Sequence, residues 1–318
     1  LHGLGVHRGV LFEVLLAAAR GAGADVRCGV GIAATEIDHR GRWLIDSGGV
    51  RHGPYQLVLA ADGSGSELHA AAPRVRSRTY PWGALWLVAD DPGFAAERRL
   101  HQIVDGAHTL FGLLPTGLAP GRNVSIVSLF WSMRADRVDA WRAAGLPAWR
   151  DAVLRLEPRA EPILDTLEDL EPVLFARYRD ITMWPWHTDR LVFLGDAAHA
   201  TSPQLGQGAN LALMDAMVLA DILASATSVE RGLADYSNAR RHHLAYYQFA
   251  TRALTPFFQS DSRIRAWIRD RVFPTSRWLG WMRRRMVRTM CGVDRGLFRR
   301  PFPVADLIRH LPDRSPAQ

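Results

Sequence analysis

The order of hydrophobic and polar positions divides the chain into stretches of different period. Residues 10–20 are apolar and alanine-rich, with Leu11, Val14 and Leu15 on one helical face, so a helix closed by Gly21 is predicted. Residues 26–30, 32–37, 43–46 and 50–52 alternate with period two and predict short strands. Turn signals separate them at Asp38-His39-Arg40-Gly41 and Ser47-Gly48-Gly49. Residues 57–61 are apolar without a break and end in Asp62-Gly63, the pattern of a parallel strand covered on both faces. Between Pro73 and Met183 the strand-like pieces 83–88, 109–114 and 124–131 alternate with turns, and 141–157 has helical texture. This predicts an inserted antiparallel domain. A second buried strand, 191–194, ends in Gly195-Asp196. Beyond a glycine-rich loop, Leu211, Met214, Val218 and Ile222 keep helical spacing, and the remainder is helical up to a polar tail from Pro312.

Composition narrows the class. Over 318 residues, 48% hydrophobic and 22% charged is globular rather than fibrous or disordered. Cys28 and Cys291 are too far apart for a disulfide framework, and the 12 histidines show no metal-ligand spacing, so no metal site is expected. The most apolar run, 211–226, is broken by Asp215 and Asp221 and falls short of the roughly 18 residues of a membrane span. Glu13 interrupts the first apolar stretch, which lacks the pattern of a signal peptide. A cytoplasmic, reducing setting is expected.

The charge is local. All 39 basic residues are arginine, and between Arg252 and Arg300 there are 13 of them against Asp261, Asp270 and Asp294, a net of +10 where the whole chain carries +7. The rest is slightly acidic, so no nucleic-acid partner is expected. With Trp267, Trp278 and Trp281 among these arginines, two readings stand. One is an amphipathic surface resting on the inner face of an anionic membrane. The other is a helical cap whose tryptophans pack and whose arginines are solvated.

Two strings mimic known signatures. Gly29-x-Gly31-x-x-Ala34 matches a dinucleotide fingerprint, but strand rather than helix is predicted after it, and the fingerprint needs the helix N-terminus. Gly63-Ser64-Gly65-Ser66 has Gly65 where a nucleophile elbow needs serine.

The informative stretch runs from Arg190 to Asn210, RLVFLGDAAHATSPQLGQGAN. A carboxylate after a buried parallel strand can accept hydrogen bonds from the hydroxyls of a sugar or ribitol chain. Gly206, Gly208 and Ala209 let backbone approach a flat ligand, and the helix that starts at Asn210 favours negative charge at its N-terminus. A reduced isoalloxazine carries its negative charge at the N1 and O2 edge. With Gly195, Asp196, Ala197, Ala198, His199, Pro203, Gly206, Gly208 and Asn210 in this order, the chain resembles the FAD-dependent monooxygenases of the aromatic-hydroxylase type, such as p-hydroxybenzoate and ubiquinone-biosynthesis hydroxylases. Two further matches are Asp62-Gly63, similar to the family's motif near the pyrophosphate, and Arg8 ahead of the first helix. One departure is His69, where the family has arginine, and it weakens the nicotinamide inference more than the FAD one.

The resemblance implies an α/β FAD/NAD(P)-binding fold with an inserted antiparallel-sheet substrate domain and a helical C-terminus. The implied divisions are 1–72 and 184–250 for the FAD-binding domain, 73–183 for the substrate sheet and 251–318 for the helical end. It implies cofactor contacts at Arg8, Asp62, Gly195, Asp196, Pro203, Gly206, Gly208, Ala209 and Asn210, with Asp196 on the ribitol and His199 packed under the loop. No catalytic side chain is singled out. The family's opening strand, glycine-rich loop and helix, which hold the ADP half of FAD, are not found ahead of His7. An N-terminally incomplete chain that binds FAD weakly is therefore expected.

The implied activity is insertion of one oxygen atom from O2 into an aromatic, phenolic or quinone-like small molecule, with NADPH or NADH as reductant. Trp82, Trp86, Phe111, Phe130 and Trp131 either line the substrate pocket or form the core of the inserted sheet. A flavoprotein reductase or dehydrogenase of the same fold, or a non-catalytic truncated remnant, are the alternatives. The substrate, the nicotinamide preference and the oligomeric state have no motif.

Overall fold

A computed structural model describes residues 3–97, 99–276, 278–296 and 299–303. The polar tail from Pro312 lies outside them. The chain opens with α1 (Arg8–Gly21), followed by a meander of β1 (Ile32–Asp38), β2 (Gly41–Asp46) and β3 (Arg51–Tyr55), and then β4 (Val58–Ala60). Four strands follow: β5 (Val75–Asp90), β6 (His101–Asp105), β7 (Thr109–Leu118) and β8 (Ser125–Arg134). After α2 (Val138–Leu156) and α3 (Glu161–Leu164) come β9 (Leu174–Met183), β10 (His187–Thr188) and β11 (Leu191–Phe193). The end is helical, with α4 (Asp196–His199), α5 (Gly208–Ser225), α6 (Val229–Phe258), α7 (Arg263–Ser276) and α8 (Gly280–Met290). The fold is α/β with an antiparallel sheet between its two βα segments and a helical C-terminus.

The described residues form two compact units. The first draws on Leu1–Cys28, Tyr80–Tyr178 and Pro256–Arg271. Its sheet has the order β6-β7-β8-β5-β9, and β6 to β8 and β5 pair antiparallel. Alternation sends Leu85, Leu87, Phe111, Leu113, Val127 and Leu129 to one face, where they bury against Trp149 and Val153 of α2 and Ile163 and Leu164 of α3. Trp86 and Phe130 pair across β5 and β8 on the other face, with ring centroids 5.3 Å apart. Phe111 and Trp131 therefore belong to the core side of the sheet, and Trp82 is itself buried. Of the five sequence candidates, Trp86, Phe130 and, by the same alternation along β5, the buried Trp82 lie on the opposite face.

The second unit draws on Gly29–Thr79, Arg179–Thr255 and Val272–Gln318. Its sheet has the order β10-β11-β4, with β11 parallel to β4 in the register Leu191↔Val58, Val192↔Leu59 and Phe193↔Ala60. Leu211, Met214, Val218 and Leu219 of α5 bury against this sheet and against Leu233, Leu244 and Tyr247 of α6. Full burial of each such apolar side chain is worth about 1.5–3 kcal/mol.

Several expectations are corrected. Residues 26–30 form no strand among the described residues, and Val26 and Val30 are exposed. Leu59 is 50% exposed while Val58 and Ala60 are buried, because β4 is an edge strand with one covered face. The segment 141–157 is helical but breaks at Gly145, whose φ is 78°, just before Pro147. By length and composition α5 could cross a membrane, with mean hydropathy 1.4 over 18 residues. Its apolar face is instead part of the core, and Asp215 is fully buried on it. The tryptophans of the basic end do not pack away: Trp267, Trp278 and Trp281 are 59%, 77% and 54% exposed.

Candidate functional site

Because β4 and β11 run parallel and in register, the turns that follow them, at Asp62-Gly63 and Gly195-Asp196, leave the same end of the sheet. That end is where open α/β sheets bind ligands. Leu194 N–H donates to Ala60 O at 2.9 Å and holds the two strand ends together. His69, on the single turn Glu67–Ala71, bonds through Nε2 to Ala197 O at 2.7 Å. The residue that replaces the family's arginine thus ties the first loop to the second.

The second loop is built so that Ala197, Ala198 and His199 are buried and Asp196, Gly206 and Gly208 are exposed. Gly195 has φ 56° and ψ −137°, a conformation open to glycine, and turns the chain into α4. Ala197, Ala198 and His199 are buried, while the Asp196 carboxylate is exposed. Pro203 opens the turn Pro203–Leu205, which Gly206 closes at φ 61°. A Cβ on Gly206 would meet no atom within 4 Å, and one on Gly208 would meet only Asp196 Oδ1, at 3.9 Å. α5 begins at Gly208 without a side-chain cap, and its bond from Leu211 N–H to Gln207 O leaves the N–H groups of Gly208, Ala209 and Asn210 directed out of the helix end. An exposed carboxylate beside three outward N–H groups and two glycines without side chains fits a polyhydroxyl chain joined to a flat, electron-accepting ring.

Behind this surface lies a buried charge cluster. Asp215 Oδ2 accepts the Gly195 N–H at 2.9 Å and the His199 Nε2–H at 2.6 Å. Its Oδ1 accepts from Arg240 Nε at 2.7 Å, and Arg240 Nη2 donates to Leu211 O at 3.2 Å. Arg240 Nη1 donates to His243 Nδ1 at 2.5 Å, and His243 Nε2–H donates to Gly292 O at 2.7 Å. Burial alone would raise the Asp215 pKa, but His199, Arg240 and the Gly195 N–H outweigh it and bring it down to about 2. Burial, with Arg240 beside it, lowers His243 to about 3, so the ring is neutral and its tautomer is fixed by the two bonds.

The C-terminal segment reaches the same loop. Gln207 Nε2 donates to Met290 O at 2.9 Å, and Asn210 Nδ2 to Gln207 Oε1 at 2.9 Å. Gly292 sits so close that a Cβ there would lie 2.0 Å from Asn210 Nδ2.

Of the nine sequence-derived cofactor residues, Asp62, Gly195, Asp196, Pro203, Gly206, Gly208, Ala209 and Asn210 belong to the second unit. Arg8 belongs to the first. It lines a cavity of about 1160 Å³ there, with Trp86, Leu114, Thr116, Ser128 and Phe175 among the other walls. Asp215, Arg240 and His243 were not read from the sequence. An acidic residue on the apolar stripe of Leu211, Met214 and Val218 was the available signal, since a charge there needs a buried partner. His243 is fully buried.

Comparison with known proteins gives the family of the chain. The family described as FAD binding domain matches residues 10–248. The chain belongs to this family, that of the flavoproteins of the aromatic-hydroxylase type. It is 28% identical over 238 residues to AqdB1 of Rhodococcus erythropolis, covering 74% of this chain and 59% of that protein. It is 30% identical over 263 residues to kynurenine 3-monooxygenase of Xanthomonas campestris pv. campestris, covering 76% and 55%. The chain thus spans somewhat over half the length of these relatives. Among solved structures, Klebsiella pneumoniae HpxO complexed with FAD and uric acid superposes with TM-score 0.67 at 19% identity, covering 89% of this chain and 71% of that one. Pseudomonas aeruginosa PqsL in complex with 2-aminobenzoylacetate gives 0.65 at 23%, covering 80% and 70%. At such identities the likeness is one of fold.

Proposed function

We propose that this chain serves an FAD-dependent monooxygenase that inserts one oxygen atom of O2 into an aromatic, phenolic or quinone-like small molecule, with NADPH or NADH as reductant. The observation that carries the reading is the exposed Asp196 carboxylate beside the uncapped N-terminus of α5. Kynurenine 3-monooxygenase among the relatives supports oxygen insertion over a purely reductive reaction.

When bound, FAD supplies the redox chemistry. Asp196 would hold the ribitol hydroxyls, the Gly208 to Asn210 backbone would hold the pyrimidine edge, and Gly206 would leave room for the ring. Asp62, Gly195 and Pro203 would shape the surrounding loops. The free N–H groups and positive end of α5 favour negative charge at that edge. Arg8 is assigned to the same cofactor by the family resemblance alone. On the substrate side, Trp86 and Phe130 offer aromatic surface against which a planar ring can pack.

The test is NAD(P)H oxidation with a panel of aromatic acids, phenols and quinols, followed by product mass. A substrate that stimulates oxidation and gains one oxygen atom supports the reading. Stimulated oxidation without an oxygenated product points to the reductase alternative, and no flavin binding to a remnant.

A peripheral membrane contact is a second reading, favoured by one surface. α8 buries Thr289 and exposes Trp281, Met286, Val287 and Met290 between Arg283, Arg284 and Arg288. No acidic residue occurs from 271 to 293. Exposed apolar groups rimmed by arginines suit an anionic bilayer surface.

A further inference from the structure

Three features of the second unit meet at one carboxylate. The Gly195 N–H opens the turn that carries Asp196, and the His199 ring closes it. Both bond the same oxygen, Asp215 Oδ2. Asp215 itself stands on α5, whose first residues form the other half of the candidate flavin surface. One side chain therefore spans the two elements and fixes their separation, read in the 3.9 Å between Asp196 Oδ1 and the Cβ position of Gly208.

The placement is costly and is not needed to close the core. Asp215 is fully buried on an otherwise apolar helix face, where an aliphatic residue would pack without a partner. The fold supplies Arg240 to neutralise it, and Arg240 is in turn held by Leu211 O and by neutral His243. His243 passes the connection to Gly292 O, in the segment packed on Asn210. An ion pair alone would require two residues. This cluster has two further bonds aimed at the Asp196 turn.

We infer that Asp215 is the positioning residue of the flavin-contacting surface: through Gly195 and His199 it holds the Asp196 carboxylate in register with the N-terminus of α5. Arg240 and His243 support Asp215 and do not touch the surface-facing groups. The inference rests on the proposed flavin reading for its functional consequence, but not for its geometry.

The experiment compares the chain with Asp215→Asn and Leu244→Ala. The second variant empties the same core at a residue that makes none of these bonds. Two quantities are measured without and with FAD: amide hydrogen exchange at Gly195, and FAD affinity from the quenching of flavin fluorescence. Asp215→Asn is expected to speed Gly195 exchange about tenfold or more and to weaken FAD by a similar factor, since losing a hydrogen bond to a charged group costs about tenfold or more in an equilibrium constant. Leu244→Ala is expected to lower stability while leaving both quantities within about twofold at temperatures where it is folded.

If Asp215→Asn does not fold, the double variant Asp215→Asn with Arg240→Met removes the stranded charge, and its Gly195 exchange and FAD affinity are read in its place. Exchange and affinity that change no more in the Asp215 variant than in Leu244→Ala would overturn the inference. If the unsubstituted chain takes no FAD, the proposed function falls, while Gly195 exchange still decides the positioning role.

Discussion

Asp215 and Arg240 form an ion pair, Nε to Oδ1 2.7 Å, between two side chains with no solvent exposure at all. Twenty-five residues separate them, and they join α5 to α6 behind the Gly195-Asp196 turn. Removing one partner leaves an unpaired charge in the core. Arg240→Met is therefore expected to lower unfolding free energy by on the order of 3–5 kcal/mol, and Asp215→Leu with Arg240→Met to recover only part of that, because the Gly195 N–H and the His199 Nε2–H then lose their acceptor. Urea unfolding of the single and double variants checks both.

His243 gives the chain a pH dependence of definite sign. Burial and Arg240 hold it neutral in the folded state down to about pH 3, from an ordinary value of 6.5. Unfolded, it takes up a proton near its ordinary value, so the unfolded state binds more protons throughout that interval. Stability is therefore expected to fall as pH is lowered from about 6.5 towards 3. Asp215 adds a second loss at lower pH, as pH drops from its ordinary 3.8 to about 2. Unfolding midpoints between pH 7 and 4 should show the first slope, and His243→Gln should flatten it.

Two glycines of the site should respond differently to alanine. Gly292 has φ 77° and no room for a Cβ beside Asn210, so Gly292→Ala should destabilise the chain and free the Asn210 side chain. Gly206, at φ 61°, faces open space, so its folding penalty should be limited to the roughly 1–2 kcal/mol of a left-handed backbone. FAD affinity should nonetheless drop in Gly206→Ala, because the added methyl occupies the side from which a ring would approach. Thermal unfolding and FAD titration on the same samples separate the two effects.

The α8 surface makes a separate prediction. Vesicles rich in phosphatidylglycerol should co-sediment the chain at low salt and release it at high salt. Replacing Arg283, Arg284 and Arg288 by glutamine should abolish the binding. Binding that persists at high salt, or is equal on neutral vesicles, would count against an electrostatic contact.

Much of the fold is legible in the sequence where periodicity and turn residues agree. The Leu191 strand, the Gly-Asp turn and the α5 spacing come out as read, since each is a local pattern. β6 and β9 escape notice because His101–Asp105 and Leu174–Met183 mix charged and apolar residues without clean alternation. Leu59 is misjudged because an unbroken apolar run gives no sign of which face is covered. The Asp215 cluster is the deepest omission. Its members lie on four separate segments, and apart from the Arg240–His243 bond within α6 the contacts are tertiary, so no window of sequence holds it. His69 shows the converse, since its departure from the family pattern is visible at once, and its bond to Ala197 O is not.

The central claim is that the Asp196 turn and the N-terminus of α5 bind flavin. The most direct measurement is titration of FAD into the chain and into Asp196→Ala, followed by flavin fluorescence, with unfolding midpoints recorded alongside. Saturable quenching in the unsubstituted chain, weakened about tenfold or more in the variant at an unchanged midpoint, is the expected result. Equal affinity in both, or no saturable binding in either, would contradict the account.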